Sequence, residues 1–280
     1  MKNVIITGGS SGIGFAAAQH FCNKGYRVLV IARNPEKLQQ AVASLNQSEG
    51  SGEAIALALD LSDFTQVRAA IGEIQQLMPS IDILALNAGL FSGRSYAMTH
   101  GGYESMIATT HLGHFELTRL LLENLKQSQD PRIVVTASDA HWAGGIEPAS
   151  FTHPKYAKLP YFGVIWGYGQ SKLANILFTR EFAKRYADSG ITITCFHPGI
   201  VNTGLGRDLN QRVADFISQF LLAPAKAAEA IVYLAEDPAV KALNGKYFYK
   251  NKPHRCSKKA RSRQLAEELW QETEKYLASA

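Results

Sequence analysis

Short apolar runs rich in β-branched residues alternate with helix-patterned stretches along nearly the whole chain, and few folds accommodate that order. Strands are predicted at residues 3–7, 27–32, 54–59, 81–86, 132–137, 191–196 and 246–249, and helices over 12–24, 35–45, 64–78, 103–126, 167–187 and 224–235. The strand runs are continuously apolar rather than alternating, the pattern of strands covered on both faces. Pro35 suits a first helical turn, and Gly25 and Gly190 suit helix ends. Strand–helix alternation of this kind predicts a doubly wound α/β fold: a Rossmann-type parallel sheet of about seven strands with helices on both faces.

No repeat or dividing linker interrupts the 280 residues, so a single domain over 1–280 is expected. Two long irregular stretches, near 139–165 and 204–222, read as substrate-loop insertions. Within the second, Phe216, Ile217, Phe220, Leu221 and Leu222 make an apolar lid or an amphipathic helix, the lid being favoured. Much of the net charge of +5 sits in Lys250, Lys252, Arg255, Lys258, Lys259, Arg261 and Arg263, on a basic helical tail near 250–280. A solvated surface explains it; weak contact with a polyanion or an anionic membrane surface is the alternative. No stacking aromatics accompany these charges, which argues against nucleic acid. Cys22, Cys195 and Cys256 are scattered and odd in number, as in a reducing compartment. No apolar run approaches the roughly 18 residues of a membrane span, and the first strand begins at Asn3. A soluble, cytoplasmic protein is the expectation.

Thr7, Gly8, Gly9, Ser10, Ser11, Gly12, Ile13 and Gly14 join the first strand to the first helix. Glycines there permit a tight turn and close approach by a pyrophosphate, whose charge meets unpaired amides at the positive end of the helix dipole. Arg33 ends the second strand, where an acid would select the free 2′-hydroxyl of NAD. An arginine suits a 2′-phosphate instead, so NADP(H) is favoured over NAD(H). Asp60 and Leu61 follow the third strand, and Asn87, Ala88 and Gly89 follow the fourth, along the carboxyl edge where ligands bind. Asp60 either accepts from an adenine amino group or serves the turn at Ser62 and Asp63; Asn87–Gly89 serves the cofactor or a plain turn. Ser138 ends the fifth strand. Pro198, Gly199, Val201 and Thr203 follow the sixth, placed to wall a nicotinamide pocket, with Thr203 toward a carboxamide or phosphate.

Tyr168 and Lys172 stand four residues apart on one helix face. A phenol ionises at about pH 10 and an ammonium at about 10.4, so neither is a ready acid or base alone. A fixed ammonium favours phenolate and is expected to lower the tyrosine pKa. The pair then gives and takes a proton at an alcohol or carbonyl oxygen.

In this order, Thr7–Gly14, Asn87–Gly89, Ser138, Tyr168 with Lys172, and Pro198-Gly199 resemble the short-chain dehydrogenase/reductase family over essentially the whole chain. The resemblance implies Tyr168 as general acid/base, Ser138 as holder of the substrate oxygen, and Lys172 as ligand of the nicotinamide ribose. His111-Leu112-Gly113-His114-Phe115, Ser171–Asn175 and Leu269-Trp270 narrow it to the branch of retinol dehydrogenases, WW-domain oxidoreductases and protochlorophyllide-reductase-like enzymes. That implies an oxidoreductase interconverting a hydrophobic alcohol and its aldehyde or ketone. A homo-oligomer paired through the two long helices 103–126 and 167–187 is implied as well. One position departs: Thr110 stands where the family carries an asparagine that steadies a relay water. It is the single feature favouring a catalytically weak NADP(H) sensor or scaffold; a tetrapyrrole reductase is the remaining alternative. His111 and His114, three apart, lack the companions of a zinc set, so no metal is expected. His141 and Trp142 are candidates to line the substrate pocket.

Overall fold

Eight strands lie in the order β3-β2-β1-β4-β5-β6-β7-β8 in the computed structural model, which describes residues 1–47, 50–91, 96–154, 157–159, 161–199 and 222–280. They are β1 (Asn3–Thr7), β2 (Arg27–Ala32), β3 (Glu53–Ala58), β4 (Ile83–Leu86), β5 (Arg132–Thr136), β6 (Thr192–His197), β7 (Tyr247–Tyr249) and the short β8 (Lys252–Pro253). The first seven run parallel, and only β8 turns back antiparallel.

The helices between them are α1 (Gly12–Asn23), α2 (Pro35–Asn46), α3 (Phe64–Leu77), α4 (Ser105–Ile107), α5 (Gly113–Leu120), α6 (Leu122–Lys126), α7 (Phe162–Arg185), α8 (Pro224–Glu236) and α9 (Arg263–Ala278). Two cores result, because successive strand residues face opposite ways. Val4 and Ile6 pack with α1, α2 and α8. Ile5, Leu29 and Ile31 pack with α3, α5, α7 and α9. The chain is therefore one α/β domain with a mostly parallel sheet.

Three elements differ from expectation. The helix predicted over 103–126 is broken: α4 passes into a π-helical turn, Ala108–Leu112, before α5 and α6. The helix predicted over 167–187 begins earlier, at Phe162, and ends at Arg185. The basic tail is not merely a solvated surface. Its lysines and arginines are exposed, but Cys256, Ser257 and Ala260 are buried beneath them, and α9 lies against α7. Trp270 on α9 packs among Phe115, Phe178, Phe182 and Tyr186, with the Arg185 guanidinium 4.9 Å above its ring. The face expected to pair with a second subunit thus carries the chain's own C-terminal helix. No helix among the described residues is long and apolar enough to cross a membrane.

Candidate active site

Sheet order reverses between β1 and β4, and the loops leaving those two strands part there to form a crevice. A cleft of about 730 Å³ occupies it. At one end stand Gly8, Ser10, Ser11, Gly12 and Ile13; Arg33, Asp60 and Leu61 follow; at the other end are Ser138, Tyr168, Lys172, Pro198 and Gly199. Thr7 and Gly14 lie beneath this lining. The Thr7 hydroxyl accepts from the amides of Asn87 and Ala88 at 2.9 and 3.0 Å, tying β1 to β4. At Gly14 a Cβ would stand 2.4 Å from the Gly8 carbonyl oxygen, so only glycine lets α1 seat under the loop. Val201, Thr203 and residues 216–221 of the expected lid fall outside the described residues.

The glycine-loop end fits a dinucleotide phosphate. Ser11 begins α1 without a side-chain cap and no acidic residue sits in the first turn, so the amides there face the cleft unneutralised. Arg33 is exposed and makes no ion pair among the described residues, while Asn34 beside it caps α2 through the Lys37 amide at 2.8 Å. Asp60 spends one carboxylate oxygen on the amide and hydroxyl of Ser62, at 2.9 and 2.7 Å; Asp63 is the cap of α3. Asn87 lines the cleft but knits strand ends, its amide nitrogen reaching the Thr7 carbonyl and its oxygen accepting from Thr136 Oγ1.

At the opposite end α7 carries Tyr168 and Lys172 past the tip of β5. Lys172 Nζ donates to the Thr136 carbonyl at 3.0 Å, which Asn175 Nδ2 also reaches at 3.1 Å. Burial lowers the lysine pKa to about 8. Burial likewise raises that of Tyr168, and the Ser138 hydroxyl draws it back down. The Tyr168 pKa thus stands above the usual phenol value rather than below it as the sequence led one to expect, with the Lys172 ammonium 5.6 Å from the centre of the ring. Ser138 Oγ accepts from the Ala140 amide at 3.1 Å, which leaves its proton to donate elsewhere.

Several lining residues carry no sequence signal of their own. Phe91, two positions beyond the Asn87–Gly89 turn, stands edge-on to Tyr168 with ring centres 5.4 Å apart. Thr109 enters from the π-helical turn, and Ala32, Asn34, Leu59 and Leu90 complete the wall. Thr110 is fully buried behind it; its hydroxyl finds no hydrogen-bond partner among the described residues and lies against Gly89, as does Lys172 Nζ. His111 and His114 are buried spacers: His114 bridges Thr7 Oγ1 and the Thr110 carbonyl at 2.8 and 2.9 Å, and His111 meets Thr273 of α9 at 2.9 Å. His141 and Trp142 do not line the cleft. The first is fully buried behind Ser138, and the second is 55% exposed.

Residues 2–157 and 155–214 match the description "short chain dehydrogenase". The chain belongs to the short-chain dehydrogenase family. Within it, this chain is 35% identical to retinol dehydrogenase 14 of Homo sapiens, over 96% of its own length and 84% of the relative's. It is 36% identical to retinol dehydrogenase 12 of Bos taurus over the same shares, and 33% identical to retinol dehydrogenase 13 of Homo sapiens over 97% and 83%. A solved structure of an uncharacterized protein from Mycobacterium paratuberculosis superposes with a TM-score of 0.78 at 29% identity, covering 99% of this chain and 94% of that one. As a short-chain dehydrogenase related to retinol dehydrogenases, the protein is an oxidoreductase of a family that uses nicotinamide cofactors.

Proposed function

We propose that this short-chain dehydrogenase uses NADP(H) to interconvert a hydrophobic alcohol and its aldehyde or ketone, with Tyr168 as general acid/base. The observation that carries the reading is the meeting of Ser138, Tyr168 and Lys172 at one end of a cleft whose other end is an uncapped helix N-terminus. When bound here, a nicotinamide dinucleotide would supply the hydride chemistry. In reduction the Ser138 proton, freed by the Ala140 amide, holds the carbonyl oxygen, and Tyr168 Oη donates the proton that completes the alcohol. In oxidation Tyr168 takes that proton back. Lys172, fixed by the Thr136 carbonyl, binds the nicotinamide ribose and adds its positive charge beside the phenol. Arg33, exposed at the adenosine end and without an ion pair among the described residues, supports NADP(H) over NAD(H) through a 2′-phosphate. Phe91, edge-on to Tyr168, favours a hydrophobic substrate.

The test is titration with NADPH and NADH, then turnover of a panel of apolar aldehydes and ketones that includes retinal. Tighter NADPH binding and turnover of a panel member are expected. Tyr168→Phe should retain NADPH affinity and lose about 10²-fold or more in kcat; wild-type turnover by that variant would overturn the mechanism. NADPH binding without turnover anywhere on the panel would instead favour the sensor reading.

A further inference from the structure

Ser138 stands two residues beyond β5 and opens a single 3-10 turn, Asp139–Trp142. Its Oγ is pinned by the Ala140 amide, so the direction of its free proton depends on how this turn is held. His141 closes the turn twice. Its backbone amide donates to the Ser138 carbonyl at 3.1 Å, and its ring Nδ1 meets the same carbonyl at 2.8 Å. A carbonyl can only accept, so Nδ1 carries the proton. The other nitrogen, Nε2, lies 3.1 Å from the backbone nitrogen of Ser257, and an amide N–H can only donate. Both contacts are satisfied by one species, neutral imidazole protonated on Nδ1. The ring is fully buried, packed edge-on against Tyr247 with centres 5.4 Å apart, and burial lowers its pKa. The donor Ser257 is itself buried, and its hydroxyl caps the turn ahead of α9 by accepting from the Ala260 amide. Lys259, two residues on, donates to the Gly144 carbonyl at 3.0 Å and fastens the far end of the same loop.

We infer that His141 is a positioning residue for Ser138: buried between the Ser138 carbonyl and the Ser257 amide, it lets the C-terminal segment fix the direction of the serine hydroxyl. This deepens the proposed function, since it rests on Ser138 as holder of the substrate oxygen. The imidazole touches neither cleft nor substrate and acts through the turn alone.

Two variants separate the two nitrogens. Asparagine reaches only as far as Nδ1, so His141→Asn keeps a donor for the Ser138 carbonyl and gives up Ser257. Glutamine reaches Nε2, so His141→Gln keeps an acceptor for Ser257 and gives up the Ser138 carbonyl. The experiment measures amide hydrogen exchange at Ala140 by NMR, kcat on the best panel substrate, and NADPH affinity for wild type and both variants. In His141→Gln the Ala140 amide should exchange at least tenfold faster and kcat should fall at least tenfold, with NADPH affinity within twofold of wild type. In His141→Asn, which keeps the bond to the Ser138 carbonyl and loses only the Ser257 tie, exchange and kcat should change in the same direction by a smaller factor, three- to tenfold, and no change there would overturn the part assigned to the C-terminal segment. Equal acceleration of Ala140 exchange in the two variants, or none in His141→Gln, would overturn the inference; equal loss of kcat and NADPH affinity would reduce His141 to general packing. Ala140 exchange is read without substrate. Should wild type turn over nothing on the panel, the proposed function fails while the exchange data still decide the role of His141.

Discussion

Lys172 holds a nearly buried ammonium in the wall of the cleft, and burial brings its pKa down to about 8. An unfolded lysine titrates at about 10.4, so between those values the unfolded chain binds more protons than the folded one. Stability therefore rises with pH across that window, and the penalty is fully present below it. Lys172→Met should raise the urea midpoint at pH 7 by an amount on the order of 2–3 kcal/mol in unfolding free energy, and the gain should vanish above about pH 10.4. The Thr136 carbonyl is not orphaned by the change, because Asn175 still donates to it. A lowered midpoint at pH 7, or a gain independent of pH, would contradict this. The same variant should be inactive, so the residue trades stability for chemistry. The identity and spacing of Tyr168 and Lys172 were readable in the sequence because they sit on consecutive turns of one helix. Their titration was not readable, since it depends on burial supplied by β5 and α7 together.

Between elements, the closest approach that matters to the site is made by glycines. A Cβ on Gly169 would stand 2.7 Å from the Ala140 carbonyl oxygen and 2.8 Å from the Gly144 amide nitrogen, both backbone atoms that a side chain cannot push aside cheaply. That gap lets the Asp139–Trp142 turn lie flat on α7 and brings Ser138 to Tyr168. Gly169→Ala should force the two apart, costing about 1–3 kcal/mol in stability and, because small misplacements are magnified in rate, about tenfold or more in kcat. Calorimetry and steady-state kinetics would check it, with NADPH affinity expected to hold within threefold; unchanged kcat would show that the gap is incidental. The glycine loop, the strand-end residues and the sheet order follow from local patterns, and the sequence carries them plainly. The π-helical turn at Ala108–Leu112 does not announce itself, since Ala, Thr, His and Leu there fit an ordinary helix. His141 was legible as a residue near Ser138 but not as a brace, because its second partner is 116 positions away.

For the molecule as a whole, α9 replaces a neighbour. Trp270 is 6% exposed in a socket of four aromatic rings, and Arg68 reaches the last turn through the carbonyls of Leu277 and Ala280. Trp270→Ala should cost about 3–5 kcal/mol, measured as a loss of urea stability by circular dichroism; a change below 1 kcal/mol would mean that α9 is only loosely seated. Association through the part of α5 and α7 that α9 covers would require α9 to leave. The hydrogen bonds that fasten the substrate side also span long separations: 116 residues from His141 to Ser257, 128 from Pro148 to Tyr276 and 162 from His111 to Thr273. The ties at the dinucleotide end, such as the 80 residues between Thr7 and Asn87, are shorter and complete earlier in the chain. A ribosome adds about 5–20 residues each second and releases the N-terminal part first. The loops that line the phosphate end are therefore made well before the helix α8 that backs them, and the hydroxyl that is to grip the substrate gains its brace only after residue 257 has emerged. Birth order thus separates the two halves of one cleft: the loops of the phosphate end are made first, and the brace of the substrate end is made last.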